Sequence, residues 1–405
     1  MRTLAVVGGG AIGLAVAWRA AEAGWSVTIA DPEIASGASW VAGGMLAPLS
    51  EGWPGEERVL GFGAAALARW PGFAARLTAR TGIPLFVAEQ TLTVALDQAD
   101  AADLRTIAEF TAGHGHRLRL LDRAGVREHE RGLARTVRAG LLADEPAIDN
   151  RALITALRAA AEMAGVRVDA DRVDDLAALD ADRVVLAAGA ASAGLWPGLP
   201  VRPVKGEILR LRHRPGAAPA PTRVIRARVH GRALYLVPRG DGIVVGATQY
   251  EAGFDTAVTV GGVRDLIADA EAVFPAIAEY EFAEASAGSR PGSPDNLPLI
   301  GVLDDRVLAA TGHGRNGMLA VPLTADAVLA LLDGDSLPEA EVADPERFGA
   351  GARADGPSAA AGGRVPRSRE PVGARAAGAP PTREPVPTTA DRPGAGFRTD
   401  TGGIG

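Results

Sequence analysis

The sequence predicts a mixed α/β fold, α+β overall, in which a parallel-sheet domain is interrupted by an inserted, mostly antiparallel β-rich domain. Three observations lead to this prediction: a strand, a glycine-rich turn, a helix and a strand open the chain, β-forming residues cluster between turns at 85–95 and 207–247, and a strand followed by an apolar helix returns at 308–332. Alternating strands and helices are typical of parallel sheets, and short strands separated by turns are typical of antiparallel ones. The parallel-sheet domain is therefore assembled from separated segments.

The opening unit carries the pattern Gly8-x-Gly10-x-x-Gly13 between a strand at Thr3–Val7 and a helix at 11–23, and its second strand ends at Asp31. In such a turn the first glycine permits a sharp bend, the second lets the backbone approach a pyrophosphate, and the third allows close helix–strand packing. The helix N-terminus favours phosphates, and Asp31 is placed to accept hydrogen bonds from ribose hydroxyls. The unit predicts a Rossmann-type dinucleotide-binding domain rather than a structural glycine turn.

The following segment distinguishes between two dinucleotides. A doubly wound NAD domain would continue with alternating strands and helices, whereas residues 35–48 form a long run of small residues in which Trp40, Met45 and Leu46 are embedded. Small residues let a backbone lie close along an extended cofactor, and a flexible surface loop would not embed these large side chains. We therefore favour a cofactor-lining segment, and FAD over NAD.

Later elements complete both domains. A helix is predicted at 151–164, where Asp149 or Asn150 is a suitable N-cap. The other predicted elements are strands at 183–188, 207–211, 233–237, 242–247 and 308–310 and a helix at 319–332. We predict a discontinuous FAD-binding domain at 1–84, 144–205 and 288–340, a substrate domain at 85–143 and 206–287, and a disordered, Pro-, Gly- and Arg-rich tail at 350–405. The tail is either passive or a recruitment segment.

Composition excludes several functions. The chain has no cysteine, which excludes disulfides, thiolate metal sites and a Cys nucleophile, and its six histidines have no metal-ligand spacing, so no metal is expected. A net charge of −7 argues against binding to nucleic acid or anionic membranes. Lys205 is the only lysine, and the arginine cluster at 223–232 is predicted to be a solvated strand edge.

Targeting signals are also weak. No stretch approaches about 18 consecutive strongly apolar residues, so no transmembrane helix is expected. Arg2 and the uncharged run after it have some features of a signal peptide, but glycines interrupt the run and no cleavage site follows. We therefore predict a cytoplasmic enzyme.

Three motifs together resemble a known family. The glycine motif, ASWVAGGMLAP at 38–48, and GSRPGSPDNLPLIG at 288–301 with GHGRNGM at 312–318 resemble the D-amino-acid oxidase superfamily of flavoproteins, and within it the glycine oxidases of thiamine biosynthesis. The resemblance covers about residues 1–335. It implies FAD and oxidation of glycine by O2 to its imine or glyoxylate, with ammonia and hydrogen peroxide, feeding thiazole formation. It also implies a homo-oligomer, a tetramer. A D-amino-acid or sarcosine oxidase or dehydrogenase, and a flavin-bearing interaction protein acting through its tail, remain alternatives.

The resemblance implies a set of cofactor contacts. They are Gly8, Gly10, Ala11, Ile12, Gly13, Asp31, Pro32, Ala38, Ser39, Gly43, Gly44, Met45, Val173, Ala187, Ala188, Gly189, His313, Gly314, Arg315, Asn316, Gly317, Met318 and Leu319. Backbone N–H groups that open the last helix can stabilise negative charge on a reduced flavin ring. His313 has no assigned base role and is otherwise an ordinary loop residue, and Arg315 is either a site residue or a structural ion pair.

The predicted substrate residues are Arg290, Tyr235 and Gln249. A guanidinium grips a carboxylate bidentately, and by resemblance Arg290 does this over the flavin with Tyr235 beside it. The alternatives are an arginine that caps a Gly/Pro-rich turn and a half-buried strand tyrosine. Gln249 stands where related glycine oxidases often carry Met, and a polar side chain at this position can alter which amine is preferred. No side chain is expected to act as acid or base, because the flavin accepts the hydride.

Overall fold

A computed structural model of the protein describes residues 2–349, and the predicted tail at 350–405 lies outside the described residues. The strands are β1 Thr3–Val7, β2 Ser26–Ala30, β3 Phe86–Ala88, β4 Thr91–Ala95, β5 Arg119–Asp122, β6 Ala139–Ala143, β7 Ala147–Ile148, β8 Arg167–Asp169, β9 Arg183–Leu186, β10 Arg202–Arg212, β11 Val224–Val229, β12 Arg232–Arg239, β13 Gly242–Gly246, β14 Glu281–Gly292, β15 Leu299–Val302 and β16 Val307–Thr311. The helices are α1 Ala11–Glu22, α2 Gly37–Val41, α3 Glu57–Thr81, α4 Gln98–Gly113, α5 Arg123–His129, α6 Asn150–Met163, α7 Ser192–Leu195, α8 Val260–Val273 and α9 Gly317–Leu332.

The first sheet has six strands in the order β15-β16-β9-β1-β2-β8, and only the β15–β16 pair is antiparallel. The predicted strand–helix–strand unit is confirmed, since β1 pairs in parallel with both β2 and β9. The carboxyl ends of parallel strands meet at one edge of a sheet, which is where open α/β sheets bind ligands. The residues that follow these strands, Gly8, Asp31, Ala187 and Gly312, therefore come together.

The core of this half is a layer of helices. Helix α1 packs against α6 and α9, and α3 packs against the same two helices. The ring of Phe73 meets Trp18 and Trp70 edge-on, with centroids 5.7 and 5.6 Å apart. Helix α3 was not singled out by the sequence analysis. Its Pro71 lies within a 25-residue helix whose buried face supports α9.

Helix α9 also bears on the membrane question. By length and composition alone, residues 314–332 could cross a membrane, contrary to the sequence expectation. In the structure most of α9 is buried, with Leu319, Val321, Leu323 and Val328 inside the core. The segment has the burial of a core helix.

The second sheet has eight strands in the order β14-β10-β13-β12-β11-β4-β6-β5. It is antiparallel except for the β11–β4 pair. Because β11 lies between β12 and β4, the predicted solvated edge at 223–232 is wrong. The arginines there pair with buried or half-buried acids instead: Arg226 with Glu51 at 2.7 Å and Arg232 with Asp269 at 2.6 Å.

The described residues belong to one compact unit. Strands β10 and β14 pair along their length from Arg202↔Gly292 to Arg212↔Glu281, so both cross the predicted domain boundaries at 205/206 and 287/288. The division into an FAD-binding and a substrate domain therefore stays a prediction.

Candidate functional site

One large cleft, with a volume of about 1790 Å³, is lined by residues from both sheets. A single small-molecule site typically has roughly 300–1,000 Å³, so this cleft has room for more than one ligand. Of the residues predicted to contact a cofactor or substrate, only Gly13 and Leu319 do not line it. Gly13 packs where a Cβ would collide with the Gly8 carbonyl, and Leu319 is buried in the helical core.

The glycine turn forms one end of the cleft. Gly8 has a φ of 108°, and a Cβ there would collide with the Ala187 carbonyl on the neighbouring strand. A Cβ at Gly10 would lie 3.0 Å from Ser39 Oγ. The N–H groups of the first turn of α1 have no partner within the helix, and that of Ala11 donates to Ser39 Oγ at 3.0 Å. The turn therefore presents bare backbone to the cleft, as phosphate binding requires.

Asp31 has a structural role that the sequence analysis missed. Its Oδ2 accepts from Gly9 N at 2.5 Å and its Oδ1 from Glu33 N at 2.8 Å. The carboxylate thus fixes the glycine turn to the end of β2. Each carboxylate oxygen can accept more than one hydrogen bond, so the predicted ribose contact is compatible with this role.

Residues 35–48 form a wall of the cleft. Asn150 Nδ2 donates to the carbonyls of Ser39 and Trp40 at 3.0 and 2.8 Å. The Tyr235 ring lies over Gly43, where a Cβ would come within 2.9 Å of the hydroxyl oxygen. This segment is pinned from both sides, which suits a cofactor wall and not a flexible loop.

Arg239 binds the same segment through its guanidinium. It is buried, and its Nη2 donates to the Gly43 carbonyl at 2.9 Å and to Asn150 Oδ1 at 3.3 Å. Burial lowers the pKa of Arg239 to about 10, so the guanidinium stays charged at neutral pH. The sequence analysis missed this residue, because nothing local marks a strand arginine as buried.

The turn before α9 also lines the cleft. His313 is 3% exposed, and its Nε2 lies 3.0 Å from Thr324 Oγ1. Burial lowers the pKa of His313 to about 3, so the imidazole is neutral at physiological pH. It is therefore a buried packing residue and not the ordinary loop residue considered from sequence.

Arg315 lines the cleft and also forms ion pairs. Its Nε donates to Glu51 Oε2 at 2.7 Å, and Glu51 binds Arg226 as well. Burial disfavours the charged form of Glu51, but the charges of both arginines outweigh it and keep its pKa below the usual value. Arg315 is therefore an ion-pair residue in the wall of the cleft, and its contact with a cofactor stays a prediction.

Glu145 holds the loop that carries Glu51. Its Oε1 accepts from the N–H groups of Leu49 and Ser50, and its Oε2 has no hydrogen-bond partner among the described residues. Burial raises the pKa of Glu145 to about 7, although the hydrogen bonds from Ser50 and the charge of Arg226 oppose this.

The raised pKa of Glu145 predicts a pH-dependent stability. The folded protein binds the Glu145 proton more tightly than the unfolded chain does. Protonated Glu145 therefore contributes fully to the free energy of unfolding below the unfolded pKa, and this contribution is lost as pH rises from about 4.5 to about 7. The loss corresponds to about 3 kcal/mol. We expect Glu145→Gln to flatten the dependence of the free energy of unfolding on pH over this range, measured by urea titration. An unchanged slope relative to the parent would contradict the assignment.

Arg290 lacks an acidic partner. It lies within strand β14, so the turn-capping alternative does not hold. Among the described residues no carboxylate comes within 4.0 Å of it; its Nη1 donates to the carbonyls of Thr248 at 3.3 Å and Lys205 at 3.5 Å, and the guanidinium also interacts with the Tyr235 phenol. The guanidinium occupies the space over Gly206 where a Cβ would be. A half-buried cation without a counter-ion is suited to hold an anionic ligand.

Tyr235 and Gln249 stand beside this cation. Burial raises the pKa of the Tyr235 phenol, although the charges of Arg290 and Arg239 oppose it. The phenol therefore stays protonated and can donate to the same anion as Arg290. Gln249 is exposed at the cleft, directly after Thr248.

Comparison with known proteins gives consistent similarities. A family model described as FAD dependent oxidoreductase (DAO) matches residues 3–331. A protein of Synechocystis named bifunctional protein ThiO/ThiG is 33% identical over 369 residues, covering 85% of this chain, which spans only 53% of that longer protein. A Rhizobium etli protein provisionally named thiamine biosynthesis oxidoreductase ThiO is 34% identical over 81% of this chain and 95% of its own length. The crystal structure of glycine oxidase from Geobacillus kaustophilus superposes with a TM-score of 0.79 at 29% identity, covering 86% of this chain and 99% of that one.

Proposed function

The chain belongs to the DAO family of FAD-dependent oxidoreductases, and from that premise we propose that it is a glycine oxidase. The observation that carries the substrate assignment is the Arg290 guanidinium, which faces the cleft beside Tyr235 without an acidic partner. Glycine offers one strong recognition group, its carboxylate, and a guanidinium with a phenol is a complementary partner for it. The relatives named glycine oxidase and ThiO support the same substrate.

The residues present fit FAD. The bare backbone at Gly8 and Gly10, where added side-chain atoms would meet Ala187 and Ser39, leaves a cradle for a pyrophosphate. Gly43, Gly44 and the turn at 313–318 would flank the ring system, within one continuous cleft. When bound, FAD supplies the two-electron acceptor for oxidation of an amine.

The chain's own residues bind and orient the substrate. Arg290 grips the carboxylate in a fixed plane, and the Tyr235 hydroxyl donates a second hydrogen bond, so the α-carbon is held at one position in the cleft. Two groups that line the cleft are poor bases, because burial lowers the pKa of His313 to about 3 and Glu51 is engaged by two arginines. With neither group acting as a base, we expect the amine to lose its proton to water and turnover to rise with pH.

The proposed overall reaction is glycine with O2 and water to glyoxylate, ammonia and hydrogen peroxide. The name of the Rhizobium etli relative supports a role of the reaction in thiamine biosynthesis, in which the imine would be the product used. A cytoplasmic location and a homo-oligomeric state remain proposals. The alternative of an interaction protein acting through its tail concerns residues outside those that the structure describes.

An anaerobic absorbance titration tests the proposal. We expect the purified protein to carry FAD whose absorbance is bleached by glycine at lower concentration than by sarcosine or D-alanine. If only a larger amine bleaches the flavin, the protein is an amine oxidase with a substrate other than glycine. A protein that binds no FAD after reconstitution would refute the proposal.

Gln249 is expected to influence which amine is preferred. Gln249 lines the cleft directly after Thr248, whose carbonyl accepts from Arg290. Gln249→Met makes this wall apolar, which favours an N-methyl group, so we expect the sarcosine-to-glycine ratio of kcat/KM to rise about 3- to 10-fold. Gln249→Asn keeps the amide and serves as the control. Equal ratios in the two variants would show that the side chain does not contact the amine.

A further inference from the structure

Residues 249–258, here called the strap, pass along the substrate end of the cleft between β13 and α8. Gln249, Phe254 and Thr256 of the strap line the cleft together with Arg290. The strap begins directly after Thr248, whose carbonyl accepts from Arg290 at 3.3 Å. The side chain of Phe254 in the strap is 65% exposed. It follows Gly253, which has a φ of 58°. A large apolar side chain is thus left in water at the edge of the substrate site.

The strap is fastened at its middle by Lys205, the only lysine in the chain. This side chain is 2% exposed, and its Nζ donates to Asp255 Oδ2 at 2.6 Å and to the Ala257 carbonyl. The backbone of Lys205 pairs with Tyr250 through hydrogen bonds of 2.9 and 3.0 Å. One residue of β10 therefore holds the strap on both sides of Phe254.

The ends of the strap are fixed by a different residue. The buried Glu207 carboxylate accepts from Thr259 N at 2.8 Å and from Thr248 Oγ1 at 3.2 Å. These bonds are shielded from water, whereas the Asp255 side chain is half exposed. The Lys205 ammonium also lies 3.8 Å from Glu207 Oε1, so it keeps the Ala257 carbonyl and Glu207 as partners when Asp255 moves away. The contact between Lys205 and Asp255 is therefore the fastening that water reaches, through the half-exposed carboxylate. The two ends of the strap are therefore held by buried hydrogen bonds, and its middle can move away from Lys205.

We propose that the strap closes over the bound amine, that Phe254 sets the size of the amine admitted, and that the Lys205–Asp255 pair is the latch that opens for entry. This rests on the proposed function, since the ligand beneath Phe254 is the amine held by Arg290. A ligand under the ring buries apolar surface that is otherwise exposed. Closure also removes water from the reacting centre.

The single lysine provides a test that does not depend on turnover. Acylation of the intact protein by an amine-selective reagent can modify only Lys205 and the α-amino group, and mass spectrometry separates the two sites. Since Lys205 is buried beneath the strap, its labelling rate reports opening. We expect acetate, which has glycine's carboxylate without the amine, to slow labelling of Lys205 at least threefold. We expect Asp255→Asn to accelerate it about tenfold, with the α-amino group as internal standard. If neither acetate nor Asp255→Asn changes the labelling rate of Lys205, the proposed latch is refuted.

Substrate size gives the second test. Phe254→Ala is expected to raise the ratio of kcat/KM for N-ethylglycine over glycine about tenfold. Val260→Ala is the control, because Val260 is 88% exposed just beyond the strap and does not line the cleft. An unchanged ratio in Phe254→Ala, or an equal change in Val260→Ala, would overturn the role of Phe254.

The two levels of inference can fail separately. Acetate protection of Lys205 in a protein whose flavin is not bleached by glycine would support the strap and reject the substrate assignment. Bleaching by glycine with no effect of acetate or Asp255→Asn on labelling would retain the glycine oxidase and reject the strap.

Discussion

Replacing Arg290 with alanine is expected to raise the KM for glycine by about 10²- to 10³-fold while FAD remains bound. The substitution removes the cation in the cleft that has no acidic partner among the described residues. Truncating one partner of a buried, hydrogen-bonded charge pair costs about 2–5 kcal/mol, which corresponds to this loss of affinity. Steady-state kinetics with glycine measures the KM, and the visible spectrum of the purified variant measures the bound FAD.

Two controls separate carboxylate recognition from folding. Arg290→Lys keeps the charge but loses the planar pair of donors, so its KM should lie between those of the parent and of Arg290→Ala. Arg212→Ala removes an exposed arginine from the same pair of long strands, where it binds Glu281 at 3.0 Å, and should leave the KM unchanged. If Arg290→Ala loses FAD, Arg290 maintains the structure of the site and does not bind the substrate. If the KM for glycine is normal, the glycine carboxylate binds to another residue.

The parts of the site that could be predicted are those encoded by local sequence. The spacing of Gly8, Gly10 and Gly13 between a strand and a helix determines the turn, because each glycine meets backbone or a short side chain where a Cβ would lie. Helix α6 is also encoded locally, because the carboxylate of Asp149, its N-cap, accepts hydrogen bonds from N–H groups of the first turn. The turn and the N-cap can therefore be recognised from the spacing of a few residues, whereas the contact of Gly8 with Ala187, which follows β9, is visible only in the fold.

The parts that were missed depend on register between distant strands. Arg226 lies directly opposite Tyr235 on the adjacent strand, and its partner Glu51 comes from a loop of the other half of the protein. The sequence predicts a strand edge at 223–232 but does not show that β4 pairs with it on the far side, which is why the solvated-edge prediction was wrong. Buried carboxylates such as Glu145 are equally hidden, since only the assembled fold removes their water.

Gly8→Ala is expected to produce the largest loss of cofactor binding. Gly8 has a φ of 108°, which L residues rarely adopt, and an added Cβ would also collide with the Ala187 carbonyl and lie 2.9 Å from Ala188 Cα. The strain costs about 1–3 kcal/mol. The collision also pushes β1 away from β9 at the edge where the pyrophosphate would bind. We expect the Kd for FAD to rise about 100-fold or more and the Tm of the apoprotein to fall, measured by fluorescence titration and thermal unfolding.

Gly24→Ala separates strain from collision. Gly24 has a comparable φ of 92°, but nothing lies within 4 Å of a Cβ added there. It should therefore lower the Tm through backbone strain alone and leave the Kd for FAD unchanged. If both variants bind FAD equally well, the close approach of β1 and β9 does not shape the cofactor site. If only Gly8→Ala loses FAD, the bare backbone at the strand edge is what the cofactor requires, because the two substitutions add the same methyl group at comparable positive φ.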